Sequence, residues 1–195
     1  QETSTAVRAR RVLEDLGPSF VKLGQIASTR ADVLPHDLLV ELKKLQDSVP
    51  EVPFDQIKDQ VERSLGAELS EVFETFDQKP LAAASIAQVH RAVLRTDDGA
   101  RDVVVKVQRA SVERLVAKDI RAMAWIAPFL VGRIPISALA NPPALVELFA
   151  ETISEELDFR LEAENMLDIA RVLRDSGSWV VIVPRPHPTL VTRRI

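Results

Sequence analysis

Hydrophobic positions in the first third of the chain recur at helical spacing, in short runs parted by turn residues at Gly17-Pro18, Leu34-Pro35 and Val49-Pro50, with Pro53 beyond. Three or four helices are expected between Thr3 and Leu65. The sharpest is Phe54 to Leu65, where Phe54, Ile57, Val61 and Leu65 fall at three- and four-residue steps while Asp55, Lys58, Asp59 and Glu62 point the other way. One stripe of that helix is built for burial. After Gly66 the period changes. Pro80 to Arg95 is small and β-branched, Asp97-Asp98-Gly99 is a tight-turn signal, and Asp102 to Gln108 is rich in Val. Together these predict a β-hairpin. Ser111 is placed to cap a helix running to about Ala127. Asn141 before Pro142-Pro143 marks another start, because Asn accepts the free amides of a first turn and Pro is tolerated there. That helix is expected to run unbroken to Ser176-Gly177-Ser178. Trp179 to Val183 and Leu190 to Ile195 are β-branched runs about a Pro-rich turn and predict a second hairpin.

Composition narrows the class. With 195 residues, 46% hydrophobic and 28% charged, the chain has room for one or two small folded domains. They are read as a helical portion, 1–66, and an α+β portion, 67–195. The chain has no cysteine, which excludes disulfides, zinc thiolates, iron–sulfur clusters and a cysteine nucleophile from it. A net charge of −4, with basic residues scattered among acids, argues against a nucleic-acid partner. The most apolar stretch, Ala122 to Ala140, is interrupted by Pro128, Arg133 and Pro135, so no transmembrane segment is expected. The first residue is Gln1 and no signal peptide is visible, so the chain reads as a piece of a longer protein. His36, His90 and His187 lack ligand spacing and are read as structural, leaving no metal site in the segment. No GxSxG, HExxH or Walker pattern supports a hydrolase, a zinc protease or a P-loop enzyme.

One ordered constellation remains. A strand, a small-residue loop, a strand, a turn, a strand bearing a lysine, a helix bearing a glutamate and two further strands is the order of a protein-kinase small lobe. Ala82, Ala83, Ala84, Ser85, Ile86 and Ala87 stand where a kinase has its glycine-rich loop, with Ala82, Ala84 and Ala87 at the glycine positions and Val89 at the valine. Main-chain amides of any residue can bind phosphate, but each Cβ limits close approach and restricts positive φ. The loop therefore predicts either an altered nucleotide preference or simply a tightly packed hairpin connection. Val103-Val104-Val105-Lys106 resembles the kinase strand whose lysine projects toward phosphates, and such a lysine needs a carboxylate beside it. Glu155, Glu156, Asp158, Glu162 and Glu164 are candidates, Asp158 and Glu162 being four apart on one face. The same acids could equally form a solvated helix surface.

Phe20-Val21-Lys22-Leu23-Gly24-Gln25 resembles the KxGQ motif of the UbiB (AarF-like) family, Ala82 to Val89 its alanine-rich loop, and Glu156-Leu157-Asp158 its ExD motif. The likeness extends from about Val7 to Ile195. It implies an α+β fold: a protein-kinase-like small lobe with an N-terminal helical KxGQ extension and a helical insertion, the large lobe being absent. The insertion accounts for the long connection between Lys106 and Glu162. It further implies that Lys106 contacts nucleotide phosphates and pairs with Glu162, and that Lys22 and Gln25 lie over the nucleotide cleft against Glu156 and Asp158. The implied cofactor is ATP or ADP with Mg2+, whose ligands and catalytic residues would lie outside this segment. Implied partners are prenylquinone-pathway proteins and a lipid membrane surface, with a cytoplasmic protein peripheral to or anchored at that membrane. Two readings of the longer protein stay open: an atypical kinase or ATPase, or a non-catalytic pseudokinase scaffold or lipid-binding regulator.

Overall fold

The structure is a computed structural model that describes residues 4–29, 31, 34–45, 50–133, 141–177 and 181–195. The chain divides into two compact units, one comprising Gln1–Pro50, Ala83–Ile86 and Ser111–Thr152, the other Glu51–Ala82, Ala87–Ala110 and Ile153–Ile195.

The first unit is helical. Helix α1 (Thr5–Leu16) starts where the Ser4 hydroxyl accepts from the Val7 amide at 3.3 Å. Gly17, at φ +105°, turns the chain directly into α2 (Pro18–Ala27). Helix α3 (His36–Leu42) then closes a core of Val21, Ala27, Leu34, Leu38, Leu39, Leu42 and Leu45, with Leu13 and Leu145 packed on it. Arg10 ties α1 to α3, its Nε donating to Glu41 at 3.1 Å. The Glu41 carboxyl, bonded first by Lys44 and then by Arg10, is held below its ordinary range.

The second unit is a sheet with one face filled. Helix α4 (Phe54–Leu65) forms as its stripe predicts and buries Ile57 and Val61. A single turn, α5 (Leu69–Val72), follows with a capping box between Glu68 and Glu71. Strands β1 (Phe73–Phe76), β2 (Ala82–Ala83), β3 (Ala87–Thr96) and β4 (Gly99–Gln108) make the sheet. In it β3 pairs with β1 and β2 along one edge and with β4 along the other. The β3–β4 hairpin keeps an unbroken antiparallel register from Thr96↔Gly99 to Ala87↔Gln108. Asp97 and Asp98 make its turn, and Gly99 takes φ +110°, a conformation L side chains resist. Because side chains alternate along a strand, Ala92, Leu94, Val105 and Val107 share the face that meets α4, along with Phe73. His90, fully buried on that face, is held through Nδ1 by the Asp77 carbonyl oxygen at 2.8 Å. Gln88 beside it bonds both the amide and the carbonyl of Val52, pinning the lead into α4 against β3.

The remaining helices are α6 (Val112–Leu130), α7 (Pro142–Glu156) and α8 (Phe159–Asp175). Helix α6 runs through Pro128, one turn past the expected end. The single helix expected from Asn141 to Ser176 is two helices. The chain breaks at Leu157-Asp158, where Asp158 (φ −120°, ψ 95°) is the N-cap of α8 and accepts from the Arg160 amide at 3.2 Å. The second hairpin does not form among the described residues: 181–187 and 191–195 hold no strand, and 178–180, part of that expectation, lie outside them. Pro184, Pro186 and Pro188 remove every second amide a ladder would need. What the last residues do instead is offer isolated carbonyls, Arg194 to the Gln108 amide and Arg193 to the Phe159 amide, at 2.9 and 3.0 Å.

Candidate functional site

The sheet face turned away from α4 carries the lysine. Alternation that buries Val105 and Val107 places Lys106 on the opposite side, with Val89 as its partner across the hairpin. Helix α8 lies on this side, and Glu162 in its first turn reaches Lys106, Oε2 to Nζ 2.5 Å. The ammonium also sits over the Phe159 ring, 4.7 Å from its centre. The two charged side chains are 38% and 47% exposed, so the pair contributes about 0–1 kcal/mol to folding. Its value lies elsewhere: a lysine held by a carboxylate and an aromatic ring presents its charge in one direction.

What aims Glu162 at Lys106 is a residue that no motif in the sequence marks. Gln108 follows Lys106 by two positions and so shares its face. It is 1% exposed, and its Nε2 donates to the Leu157 carbonyl oxygen at 2.9 Å. That bond fastens the break before α8 to the strand bearing Lys106. Asp158 completes the start of the helix. Its carboxylate caps the first turn and takes a forked pair of bonds from Arg160, at 2.9 Å from Nε and 2.6 Å from Nη2. These bonds hold the Asp158 carboxyl down at about 2, the Arg160 side-chain bonds being the larger cause. Asp158 is thus a helix cap and does not share a helical face with Glu162, contrary to the spacing argument. No three His, Cys, Asp or Glu side chains among the described residues converge as a metal site would require.

The motif residues of the first unit have a different geometry. Gly24 lies where α2 meets its neighbours so closely that a Cβ there would stand 2.3 Å from Leu45 Cδ1 and 2.9 Å from Leu13 Cδ1. Gln25 donates from Nε2 to the Leu45 carbonyl oxygen at 3.3 Å. Both residues therefore hold the helical unit together. Lys22 is half-buried on α2, and Glu156 is the last residue of α7. Of the alanine-rich loop, Ser85 and Ala87 are buried, Ala82 is exposed and Ala83, Ala84 and Ile86 are half-buried, while the Leu81 amide donates to the Val89 carbonyl oxygen at 2.8 Å. His36 opens α3, and His187 stands in the last stretch of chain, 3.4 Å from the Thr189 amide. No helix among the described residues is long and apolar enough to cross a membrane.

Comparison with known proteins adds an independent line. Residues 44–195 match the family model of the ABC1 atypical kinase-like domain. A probable protein kinase UbiB from Cellvibrio japonicus is 43% identical over 168 residues, covering 86% of this chain and 30% of that protein. Its counterpart in Pseudomonas fluorescens is 44% identical over 193 residues, 95% of this chain and 34% of that protein. The chain spans about a third of the length of these relatives. Among solved structures, Rv3197 of Mycobacterium tuberculosis, determined as its complex with erythromycin, superposes with a TM-score of 0.52 at 28% identity, covering 89% of this chain and 44% of that one. The architecture is accordingly that of a kinase-like small lobe with helical additions.

Proposed function

Since the chain belongs to the ABC1 atypical kinase-like family, we propose that it is the nucleotide-gripping part of an atypical kinase or ATPase, with Lys106 meeting the phosphates of ATP or ADP. The observation that carries this reading is the Lys106–Glu162 pair at 2.5 Å. A half-exposed ammonium backed by a carboxylate and an aromatic ring fits a polyphosphate: its charge is available, and its stem is held. Glu162 keeps the ammonium from folding back into solvent. Ala82 to Ala87 and Val89 offer main-chain amides to the same nucleotide, their Cβ atoms shaping which nucleotide is preferred. Mg2+, when bound, would supply neutralisation of the phosphate charge; on this reading the residues that would hold it belong to the rest of the longer protein.

Lys22 acts on this reading as a regulatory element over the cleft with Glu156 as its counterpart, while Gln25 and Asp158, held by the Leu45 carbonyl and by Arg160, fix the local structure on which those two stand. Reversing charge at Lys22 and Glu156 together should restore what either reversal alone loses; strictly additive losses would remove that pairing. We place the longer protein's task in prenylquinone or other lipid metabolism at a membrane surface, as the resemblance to the UbiB family implies.

The test is calorimetric titration of the protein with ATP and ADP, with and without Mg2+. Lys106→Ala is expected to weaken binding at least about tenfold, the equivalent of one charge-assisted contact of roughly 1.5–3 kcal/mol, and Glu162→Gln less. Affinity indifferent to Lys106 would exclude the phosphate-gripping role and leave a non-catalytic scaffold.

A further inference from the structure

Helix α6 buries Val112, Val116, Met123 and Ala127 on one side. Its outward side has an unusual order. Arg114, Lys118 and Arg121, at three- and four-residue steps, form a line of exposed cations with no ion-pair partner among the described residues. The line continues into Trp125 and Phe129, 72% and 54% exposed, whose ring centres lie 5.6 Å apart with the planes tilted at 57°, and Ile126 lies beside them at 43%. From Arg114 to Phe129, sixteen residues, this stripe rises about 22 Å. Exposed aromatic pairs are uncommon on a surface that meets only water. The acids of this helix, Glu113 and Asp119, are half-buried and off the line.

We propose that the outward stripe of α6 docks on an anionic lipid surface. Trp suits the depth of headgroups, where its apolar ring body and its indole N–H are both accommodated, Phe adds apolar surface to the same buried face, and a cation line beside them meets lipid phosphates. A row of like charges without an acid among them complements a diffuse negative plane, which satisfies every position at once. This inference rests on the membrane-surface part of the reading above and gives it a place in the chain, though α6 is independent of Lys106.

The test uses Trp179→Phe protein, so that Trp125 alone emits, titrated with phosphatidylcholine vesicles and with vesicles containing about one-third phosphatidylglycerol. Trp125 emission should shift to the blue and the protein should sediment with the anionic vesicles only. At about 1 kcal/mol per basic residue near such a surface, the exposed triple substitution Arg114→Gln, Lys118→Gln, Arg121→Gln should weaken binding about a hundredfold, with an unchanged circular-dichroism spectrum. Phe129→Ala should weaken it further. Emission that does not move with either vesicle, or equal binding by the triple variant, would overturn the proposal. So would a Trp125 already blue-shifted in the longer native protein before vesicles are added, which would assign the stripe to the rest of that protein. Nucleotide titration of the same variants separates the two readings: lost vesicle binding with intact nucleotide binding leaves the phosphate role of Lys106 standing, and the reverse leaves the α6 stripe standing.

Discussion

Replacing Gln108 by Leu should loosen the start of α8 while preserving side-chain volume. The perturbation removes one donor. Gln108 is 1% exposed and Leu157 6%, so the Leu157 carbonyl that accepts at 2.9 Å loses its partner where water cannot readily replace it. An orphaned buried acceptor costs roughly 1–3 kcal/mol; a mid-range loss of about 2 kcal/mol, at a urea slope of about 2 kcal/mol/M, lowers the unfolding midpoint by about 1 M. Urea titration followed by circular dichroism measures it. Nucleotide affinity should fall in the same variant, because Glu162 sits one turn beyond the loosened point. Gln108→Glu makes the argument sharper: its carboxylate would face a carbonyl oxygen, burial would raise its pKa in the folded state, and the damage should therefore ease as pH falls and the acid regains a donor. A Gln108→Leu midpoint within about 0.2 M of the parent, equivalent to about 0.4 kcal/mol at that slope, would show that α8 is held by something other than this bond.

Other outcomes follow from the same geometry. Gly24→Val should destabilise by about 1–3 kcal/mol through overpacking against Leu45 and Leu13, read as a fall in melting temperature, while Gly24→Ala should cost less because the gain in helix propensity of about 1 kcal/mol offsets part of the clash. Lys106→Ala should change the urea midpoint little, by about 1 kcal/mol or less in free energy, even where nucleotide binding collapses; a large loss of stability would mean the pair is structural. Asp158, whose folded-state pKa is lowered from 3.8 to about 2, stabilises the fold above its unfolded value, and that contribution is lost as pH falls from about 4 toward 2. Asp158→Asn should flatten the stability curve in that window, and an unchanged acid limb would remove the Arg160 fork as its cause.

The sheet and its lysine were readable because each rests on a local rule. The alternation in β3 and β4, the Asp97-Asp98-Gly99 turn and the stripe of α4 all concern neighbours in sequence. The break at Leu157-Asp158 was not readable in the same way. No Gly or Pro marks it, and the helix stops because Gln108, distant in sequence, takes the Leu157 carbonyl while Asp158 turns its side chain onto the next turn. Acids at Asp158 and Glu162 looked like one helical face only while the helix was taken as continuous. The packing of Gly24 likewise depends on Leu13, Leu42 and Leu45, brought together by tertiary contact. The strand expected before the small-residue loop has no bounds in the sequence because β1, the four residues Phe73 to Phe76, carries too little alternation to stand out, and the β-branched runs near the C-terminus do not form a hairpin because of the prolines between them.

The register of the β3–β4 hairpin also restricts how such a chain can change over generations. Sliding one strand by a single position would exchange its two faces, carrying the Lys106 ammonium into the aliphatic layer against α4 and Val105 or Val107 out to water. A deletion or insertion inside either strand is therefore intolerable in odd steps. Length can drift freely only at the Asp97-Asp98 end, ten paired positions away from the lysine's neighbourhood at Ala87↔Gln108. The hairpin behaves as a ruler with its zero mark at the lysine, and lineages that lengthen its far end would keep the charge in place.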